Sequence, residues 1–404
     1  MSEWKCYKLN EISSLSNGIN FDKSAYTSGV KLIGVSDFKN RIHPDYDSLQ
    51  EVDSKVVKSG DYLEKGDIVF VRSNGNKELV GRCMIIDRDI PVTYSGFCIK
   101  LHLKDKKRFD PVFFNYLFKT RQFKKSMTGT AVGANIQNLS QSRLGSCEVS
   151  VPDIETQKKI AIILSRYDSL IENYQKQIKL LEEAAQRLYK EWFVDLRFPG
   201  HENTKIVDGL PEGWEKKKVK EVCDTTSGGT PSRSKTEFYT GDILWVKTKE
   251  LNDDFIFDTE EKITEDAIRN SSAKMVPSGS ILMAMYGATI GKLGIATKEL
   301  SCNQACCVFL LPEDSTLRLY LYNWLLNSRI LLISMGKGAA QPNLSQDMIK
   351  NLEVVVPSSC LLAKFDSKVK PLYRIMSYHS FQLHLLTEAR DRLLPKLMSG
   401  EITL

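Results

Sequence analysis

The sequence predicts an α+β fold: two similar mixed α/β globular domains separated by two long antiparallel helices forming a coiled coil, with an internal pseudo-two-fold repeat. Three observations predict it. The halves of the chain repeat each other, each half carries a long heptad-patterned stretch, and each half opens with β-rich segments bounded by turn residues. At 404 residues the chain is also too long for one ordinary core.

The repeat is clearest near the end of each half. Residues 133–152 (GANIQNLSQSRLGSCEVSVP) align without a gap to 338–357 (GAAQPNLSQDMIKNLEVVVP) at an offset of 205, with ten identities in twenty. The offset persists from LLEEAAQRL at 180–188 to LLTEARDRL at 385–393. Upstream the register drifts. Trp4 faces Trp214, GDIVFVRS (66–73) faces GSILMAMY (279–286), and Gly81 faces Gly291. Residues 194–213 join the halves, and Pro199, Gly200, Gly209, Pro211 and Gly213 break regular structure there. The expected segments are 1–152 (first globular domain), 153–197 (first helical region), 198–357 (second globular domain, with a linker at 198–213) and 358–404 (second helical region).

Each helical region carries a seam. Ile160, Leu164, Tyr167, Ile171, Tyr174, Ile178, Leu181, Ala185, Leu188 and Trp192 recur at alternating spacings of four and three, the pattern of a heptad. Lys158, Lys159, Glu172, Lys176, Lys179, Glu182 and Lys190 fill the face between. A helix over 160–192 would span about 50 Å at 1.5 Å per residue. Asp153 and Glu155 suit its positive end. The second seam is Phe365, Val369, Leu372, Met376, His379, Leu383, Leu386, Arg390, Leu393 and Leu397. His379 and Arg390 read as tolerated polar seam residues with heads reaching water. Pro371 is expected to kink this helix or delay its start, and Pro395 to end or bend it. Seams of this kind first of all pack on each other. Antiparallel pairing would set the two heads at opposite ends of a rod, fixing their separation.

In the first head GVKLIGVSDF, GDIVFVRS, GRCMIID and FCIKLHL read as strands, and 110–125 reads as a helix ending in Lys119, Arg121, Lys124 and Lys125. The second repeats the order with DILWVKT, SILMAMY, IGKLGIA and ACCVFLL, then a helix at 316–335. Loops SNGNKE (73–78) and SGGTPSRSK (227–235) combine small, amide and cationic residues. Glycine lets a backbone approach a surface closely. Asn and Gln pair with adenine and Arg or Lys with guanine, while cations alone give salt-sensitive phosphate binding. The same loops read equally as ordinary surface turns.

The net charge of +6 permits an anionic partner without demanding one. No run is apolar enough for a spanning helix and MSEWKCYKLN has no signal-peptide core, so a cytoplasmic protein with no membrane partner is expected. Nine cysteines without Cys-x-x-Cys spacing suggest reduced thiols. Cys302, Cys306 and Cys307 lie in an apolar segment read as a buried strand rather than a metal site. No Pro-Pro dipeptide, dinucleotide-binding glycine signature, nucleophile elbow or P-loop occurs. The five histidines are scattered. No catalytic residue, cofactor or metal is expected on this chain.

SGGTPSRSKTEFYTGDILWVKTKEL (227–251), GSILMAMYGATIGKLGIATKELSCNQACCVFLLP (279–312), QPNLSQDMIKNLEVVVP (341–357) and RLLPKLMSGEI (392–402), in this order and with the half-length duplication, resemble the specificity subunits of type I restriction–modification systems. The resemblance implies two target-recognition domains, each reading one part of a split, asymmetric site in double-stranded DNA. It implies helices that set the unread gap and dock two adenine-methyltransferase modification subunits. S-adenosylmethionine and ATP would act on those and on restriction/translocase subunits, leaving this chain non-catalytic. The first head departs from the pattern, with SLSNGINFDKSAY (14–26) for SGGTPS and NIQN (135–138) for QPN. On this reading Arg72, Asn74, Asn76, Lys77, Arg82 and Lys125 lie near DNA in the first head, and Thr230, Arg233, Lys235, Tyr286, Lys292 and Lys337 in the second. Two rival readings are a helical scaffold or assembly adaptor that touches no DNA, and a self-sufficient DNA enzyme, which the missing motifs disfavour.

Overall fold

The computed structural model describes residues 4–38, 41–73, 79–128, 138–312, 314–336 and 343–404. The chain divides into two compact units. Unit 1 is Met1–Ile171 with Leu385–Leu404, and unit 2 is Glu172–His384.

Unit 1 contains strands β1 (Lys5–Lys8), β2 (Ser13–Asn17), β3 (Tyr26–Ile33), β4 (Gln50–Val52), β5 (Ile68–Val71), β6 (Cys83–Ile85), β7 (Val92–Tyr94), β8 (Cys98–Leu103) and β9 (Glu148–Val151). Its short helices are α1 (Leu9–Ile12), α2 (Pro111–Lys119), α3 (Arg121–Thr128) and α4 (Gln141–Gly145). A four-stranded sheet runs β2-β8-β5-β6, a three-stranded one β4-β3-β7, and β1 pairs with β9. Strand β5 shows why Ile-Val-Phe-Val folds this way. All four residues are buried, and successive side chains face opposite sides of a strand. Ile68 and Phe70 enter the core beneath α2, while Val69 and Val71 enter a second core with Tyr94. Helix α2 starts where Asp110 accepts a hydrogen bond from Phe113 N at 2.8 Å and Pro111 fills its first turn. The helix expected over 110–125 is two helices broken at Thr120, whose hydroxyl accepts from Phe123 N at 3.2 Å.

Unit 2 repeats this plan. Its strands are β10 (Ile206–Val207), β11 (Leu210–Pro211), β12 (Glu215–Lys218), β13 (Asp224–Ser227), β14 (Ile243–Val246), β15 (Asp254–Ile256), β16 (Lys262–Ile263), β17 (Ile281–Ala284), β18 (Leu293–Ala296), β19 (Ser301–Cys302), β20 (Cys306–Leu310) and β21 (Glu353–Val356). Its short helices are α6 (Val219–Val222), α7 (Glu265–Arg269), α8 (Leu317–Asn327), α9 (Arg329–Met335) and α10 (Gln346–Lys350), so the helix expected over 316–335 is two helices broken at Ser328. The sheets run β13-β20-β17-β18-β15 and β16-β14-β19, and β12 pairs with β21. Apart from the β10–β11 hairpin of the linker, the described strands match those of unit 1 one for one, with one addition. The fifth strand β15 pairs in parallel with β18, Asp254 opposite Gly294. Strand β17 divides its residues as β5 does: Ile281 and Met283 face one core, Leu282 and Ala284 the other. The linker, read as irregular, holds the β10–β11 hairpin. Asp208 and Gly209 at its tip have φ of 50° and 77°, the left-handed pair that a two-residue hairpin turn requires.

Two long helices, α5 (Ile154–Tyr189) and α11 (Ser359–Met398), form the antiparallel coiled coil. Asp153 starts α5 by accepting from Thr156 N at 2.9 Å. In unit 1, Ile160 and Leu164 share a core with Leu397 and Met398. In unit 2, Ala185 and Tyr189 share one with Phe365 and Val369, and the Tyr174 and His379 rings lie 4.8 Å apart. In each unit, therefore, numbers rise along one helix as they fall along its neighbour. None of the twenty seam residues is classed as exposed. The expectation of a delayed start at Pro371 is corrected. Helix α11 starts twelve residues before it and runs through. Pro371 and Ser367, whose carbonyl the missing N–H would have engaged, both lie on the exposed face, where water can satisfy that oxygen. Pro395 falls in the last turn, as expected.

The Arg390 head does not simply reach water either. Its Nη1 lies 2.6 Å from Asp168 Oδ1, and Tyr116 OH donates to Asp168 Oδ2 at 2.5 Å. Asp168 is buried, so removing either cation or hydroxyl leaves a charge away from solvent. In unit 2, Ser380 Oγ donates to the buried-side Asp254 Oδ1 at 2.7 Å. Burial, reinforced by the Asp254 and Asp253 carboxylates, pushes the nearby Glu182 carboxyl from 4.5 up to about 7.

Two outcomes follow. Asp168→Ala strands Arg390 and Tyr116 and is expected to cost about 3 kcal/mol, read by denaturant unfolding of the full chain; a loss below about 0.5 kcal/mol would contradict the account. Glu182 binds its proton more tightly folded than unfolded, so it favours folding fully below pH 4.5 and this stability is lost as pH rises through 7. Glu182→Gln should flatten the fall in stability between pH 5 and 7 and raise stability at pH 8 by on the order of 1 kcal/mol after solvent screening. An unchanged slope would show that Glu182 is not the titrating group.

Candidate nucleic-acid interface

The candidate loops meet at one place in each unit, and backbone hydrogen bonds put them there. In unit 2, Gly229 N donates to Cys302 O and Met285 N to Ala305 O, both at 2.9 Å. The turn between β19 and β20 therefore holds loop 227–235 on one side and loop 286–292 on the other. In unit 1, Ile19 N donates to Tyr94 O at 2.9 Å and Arg72 N to Phe97 O at 2.8 Å. The turn between β7 and β8 plays the same part. A third segment joins each cluster. Leu139 N donates to Arg72 O at 2.7 Å and Leu344 N to Met285 O at 2.9 Å, while Ser73 bridges Asn138 and Tyr286 bridges Asn343.

These contacts explain why Asn-Leu-Ser-Gln recurs. Leu139 and Leu344 are each 1% exposed and anchor the segment. Ser140 and Ser345 cap α4 and α10 (Gln346–Lys350), accepting from Arg143 N and Met348 N at 3.1 Å. Gln346 Nε2 donates to Thr225 Oγ1 at 3.3 Å. The motif is a clasp holding loops together.

The glycines of loop 227–235 have a different reason from the one expected. A Cβ at Gly228 would lie 1.9 Å from Cys302 O, and one at Gly229 would lie 2.2 Å from the Ser272 carbonyl carbon. They let the loop press on the head's own backbone. Gly18 does the same against Tyr94 O at 2.2 Å. Trp245 Nε1 then donates to Gly229 O at 3.0 Å, and Thr230 Oγ1 hydrogen-bonds Gln304.

Thr230, Arg233 and Lys235 thus share one anchored loop. The Arg233 guanidinium stacks 4.3 Å from the Tyr239 ring centroid and 5.0 Å from that of Trp245, and pairs with both Glu261 oxygens at 3.1 and 2.8 Å. Lys235 Nζ sits 4.8 Å over Phe238. Tyr286 is exposed beside the clasp. Lys292 Nζ lies 2.6 Å from Asp253 Oδ2, a carboxylate that Arg329 also grips. Close by, hydrogen bonds from Lys249 and Lys247 hold the Glu260 carboxyl down to about 2. Arg233 and Lys292 would have to share or exchange carboxylates to meet a phosphate. In unit 1, Arg72 Nη1 donates to Gly96 O at 3.4 Å and Arg82 Nη1 to Phe38 O at 3.5 Å. Lys125 lies exposed on α3. Asn74, Asn76, Lys77 and Lys337 lie outside the described residues.

The geometry adds two candidates that the sequence reading missed. Gln304 is exposed at the centre of the unit 2 turn, where unit 1 has Gly96, and Phe97, 62% exposed, is the next residue of the unit 1 turn, in the place of Ala305. The polar Asn-Gln inside SCNQACC was the available signal. Gln offers paired hydrogen bonds to adenine, and an exposed ring offers apolar contact to thymine. Among the described residues no group of three His, Cys, Asp or Glu could hold a metal ion. No helix among them is long and apolar enough to cross a membrane.

A sequence profile described as the type I restriction modification DNA specificity domain matches residues 1–183 and 211–359, covering the first head, α5 up to residue 183, the second head from residue 211 and the first residue of α11. The chain belongs to the family of type I restriction–modification DNA specificity subunits. It is similar to the HindI specificity subunit of Haemophilus influenzae, 25% identical over the whole of both chains. It is also similar to the MjaIX specificity subunit of Methanocaldococcus jannaschii, 29% identical over 71% of this chain and 68% of that one. Among solved structures, the type I restriction-modification S subunit from M. genitalium has the same fold, with a TM-score of 0.64 and 18% identity over 98% of this chain and 96% of that one.

Gly228→Ala is expected to lower Tm by several degrees, since the Cβ clash of 1.9 Å must displace backbone and about 1 kcal/mol moves Tm by roughly 2–4 °C in a domain of this size. Thermal unfolding checks it, and an unchanged Tm would show that the loop is not pinned there.

Proposed function

We propose that each head reads one part of a split, asymmetric DNA site and that this chain supplies sequence choice to catalytic partners. The observation that carries this is one clasped scaffold presenting two sets of loop residues. Ser95-Gly96-Phe97 and Asn303-Gln304-Ala305 occupy equivalent turns, and SNGINF and SGGTPS lie against them. A common frame with different hydrogen-bonding groups selects different base edges.

The rest of the proposal concerns partners. The helical residues between the heads set the length of the unread gap. Exposed apolar residues at 44%, 58% and 40% accessibility (Ile375, Tyr378 and Phe381 on α11) suit docking of two adenine-methyltransferase modification subunits. Those partners bring S-adenosylmethionine, restriction/translocase subunits bring ATP chemistry, and this chain catalyses nothing itself. A complex acting on cellular DNA works in the cytoplasm.

Exchanging residues 1–152 for another head of the family should change one block of the methylated sequence and leave the other intact. Sequencing-based mapping of modified adenines in cells carrying the chimaera reads the result. Both blocks changing, or neither, would contradict the assignment of one head to one block.

A further inference from the structure

The most exposed aromatic ring among the described residues stands at the tip of a clustered turn in unit 1. Phe97 is 62% exposed. Among the described residues it pairs with no other ring. The backbone beneath it is held from several sides. Cys98 N donates to Ser95 O at 2.8 Å, closing a β-turn with Phe97 in its third position. Gly96 N donates to Ile19 O at 2.7 Å, and Phe97 O accepts from Arg72 N at 2.8 Å and from Ser73 N at 3.4 Å. A Cβ at Gly96 would collide with the Asn20 side chain, so the turn has no slack on that side. A backbone pinned in this way cannot carry the ring down into a core.

Unit 2 builds the same turn without the ring. Met285 N donates to Ala305 O at 2.9 Å as Arg72 N does to Phe97 O, so Ala305 takes the place of Phe97. The two heads thus differ at this point in bulk and not in hydrogen bonding, since neither phenyl nor methyl offers a polar group. A thymine methyl would cover only part of one face of a phenyl ring. A base-pair step that opens would cover both faces. Rigidly presented apolar side chains, phenylalanine among them, enter base steps in this manner and partly unstack them.

We propose that Phe97 is a wedge, inserted by unit 1 between two stacked base pairs of the bound duplex. This role rests on the reading of each head as a DNA-recognition module. It adds a selectivity drawn from how easily a step opens rather than from its base edges. Pyrimidine–purine steps open most readily, so the step beneath Phe97 is of that class. Unit 2, with Ala305, opens none at the equivalent turn.

The test uses the full chain in complex with the partners it purifies with, at saturating protein. The duplexes carry the recognised sequence with the fluorescent base 2-aminopurine placed at each purine position in turn. Binding is expected to brighten the probe at one pyrimidine–purine step, because a base there loses a stacked neighbour. Phe97→Ala should abolish that brightening and weaken binding by roughly tenfold. Phe97→Leu keeps an apolar wedge and should recover part of both. A mismatch at the same step opens it in advance, so on that duplex Phe97→Ala should bind within about threefold of the unsubstituted chain. Brightening caused by a partner that extrudes an adenine survives Phe97→Ala and is told apart by that. Sequence-selective binding with no brightened step, or with brightening and affinity unchanged in Phe97→Ala, overturns the wedge and leaves the reading of the heads standing. An unsubstituted complex that binds all sequences alike overturns both.

Discussion

Each compact unit requires both long helices, and the rest of the structure depends on that constraint. Unit 1 ends its first stretch at Ile171 and is completed by Leu385–Leu404; unit 2 holds what lies between. A helix of 36 or 40 residues with an apolar stripe gains most of its stability from burying that stripe. Here Ile160 and Leu164 find Leu397 and Met398, and Ala185 and Tyr189 find Phe365 and Val369. The C-terminal turns thereby close a core begun near the N-terminus. Apolar seams alone tolerate sliding by a heptad. The Asp168–Arg390–Tyr116 contact opposes it, because a slide would set the buried Asp168 against Leu383 or Leu397 and leave its charge unpaired.

On this base the same head is built twice. A central strand sends alternate residues into two cores, and β1–β9 or β12–β21 closes the unit beside the long helix. The Asn-Leu-Ser-Gln clasp ties three loops together without using their tips. Loop residues are thus free to differ while their bases stay fixed, the arrangement in which recognition is carried on loops over a rigid scaffold. Unit 2 stiffens its loops with intrachain pairs, Arg233 with Glu261 and Lys292 with Asp253.

Much of this was legible in the sequence, for identifiable reasons. The seam was legible because burial along a coiled coil has a fixed period, and His379 and Arg390 kept their places in it. Strands β5, β8, β17 and β20 were legible because their runs are apolar, or alternate apolar with polar residues as β8 does, and turn residues bound them. The closing pairs were not. Lys5–Lys8 and Glu215–Lys218 are mostly exposed edge strands with no apolar alternation to reveal them. The Asp-Gly turn at 208–209 was present but flanked by runs too short to stand out. The site was half legible. Loop 227–235 and the residues Tyr286 and Lys292 were found, but the ion pairs of Arg233 and Lys292 span 28 and 39 residues, and no local pattern reports such a partner. Gln304 was hidden by the apolar residues around it, and the glycines at 228 and 229 serve the head's own packing.

The central claim is that two unlike readers on one clasped frame choose a divided site. Mapping modified adenines across the genome of cells with and without this chain tests it most directly. The account predicts methylation, lost when the chain is absent, at two short dissimilar blocks separated by a constant number of unspecified bases. A continuous or palindromic motif, a variable gap, or a map indifferent to the chain would contradict it.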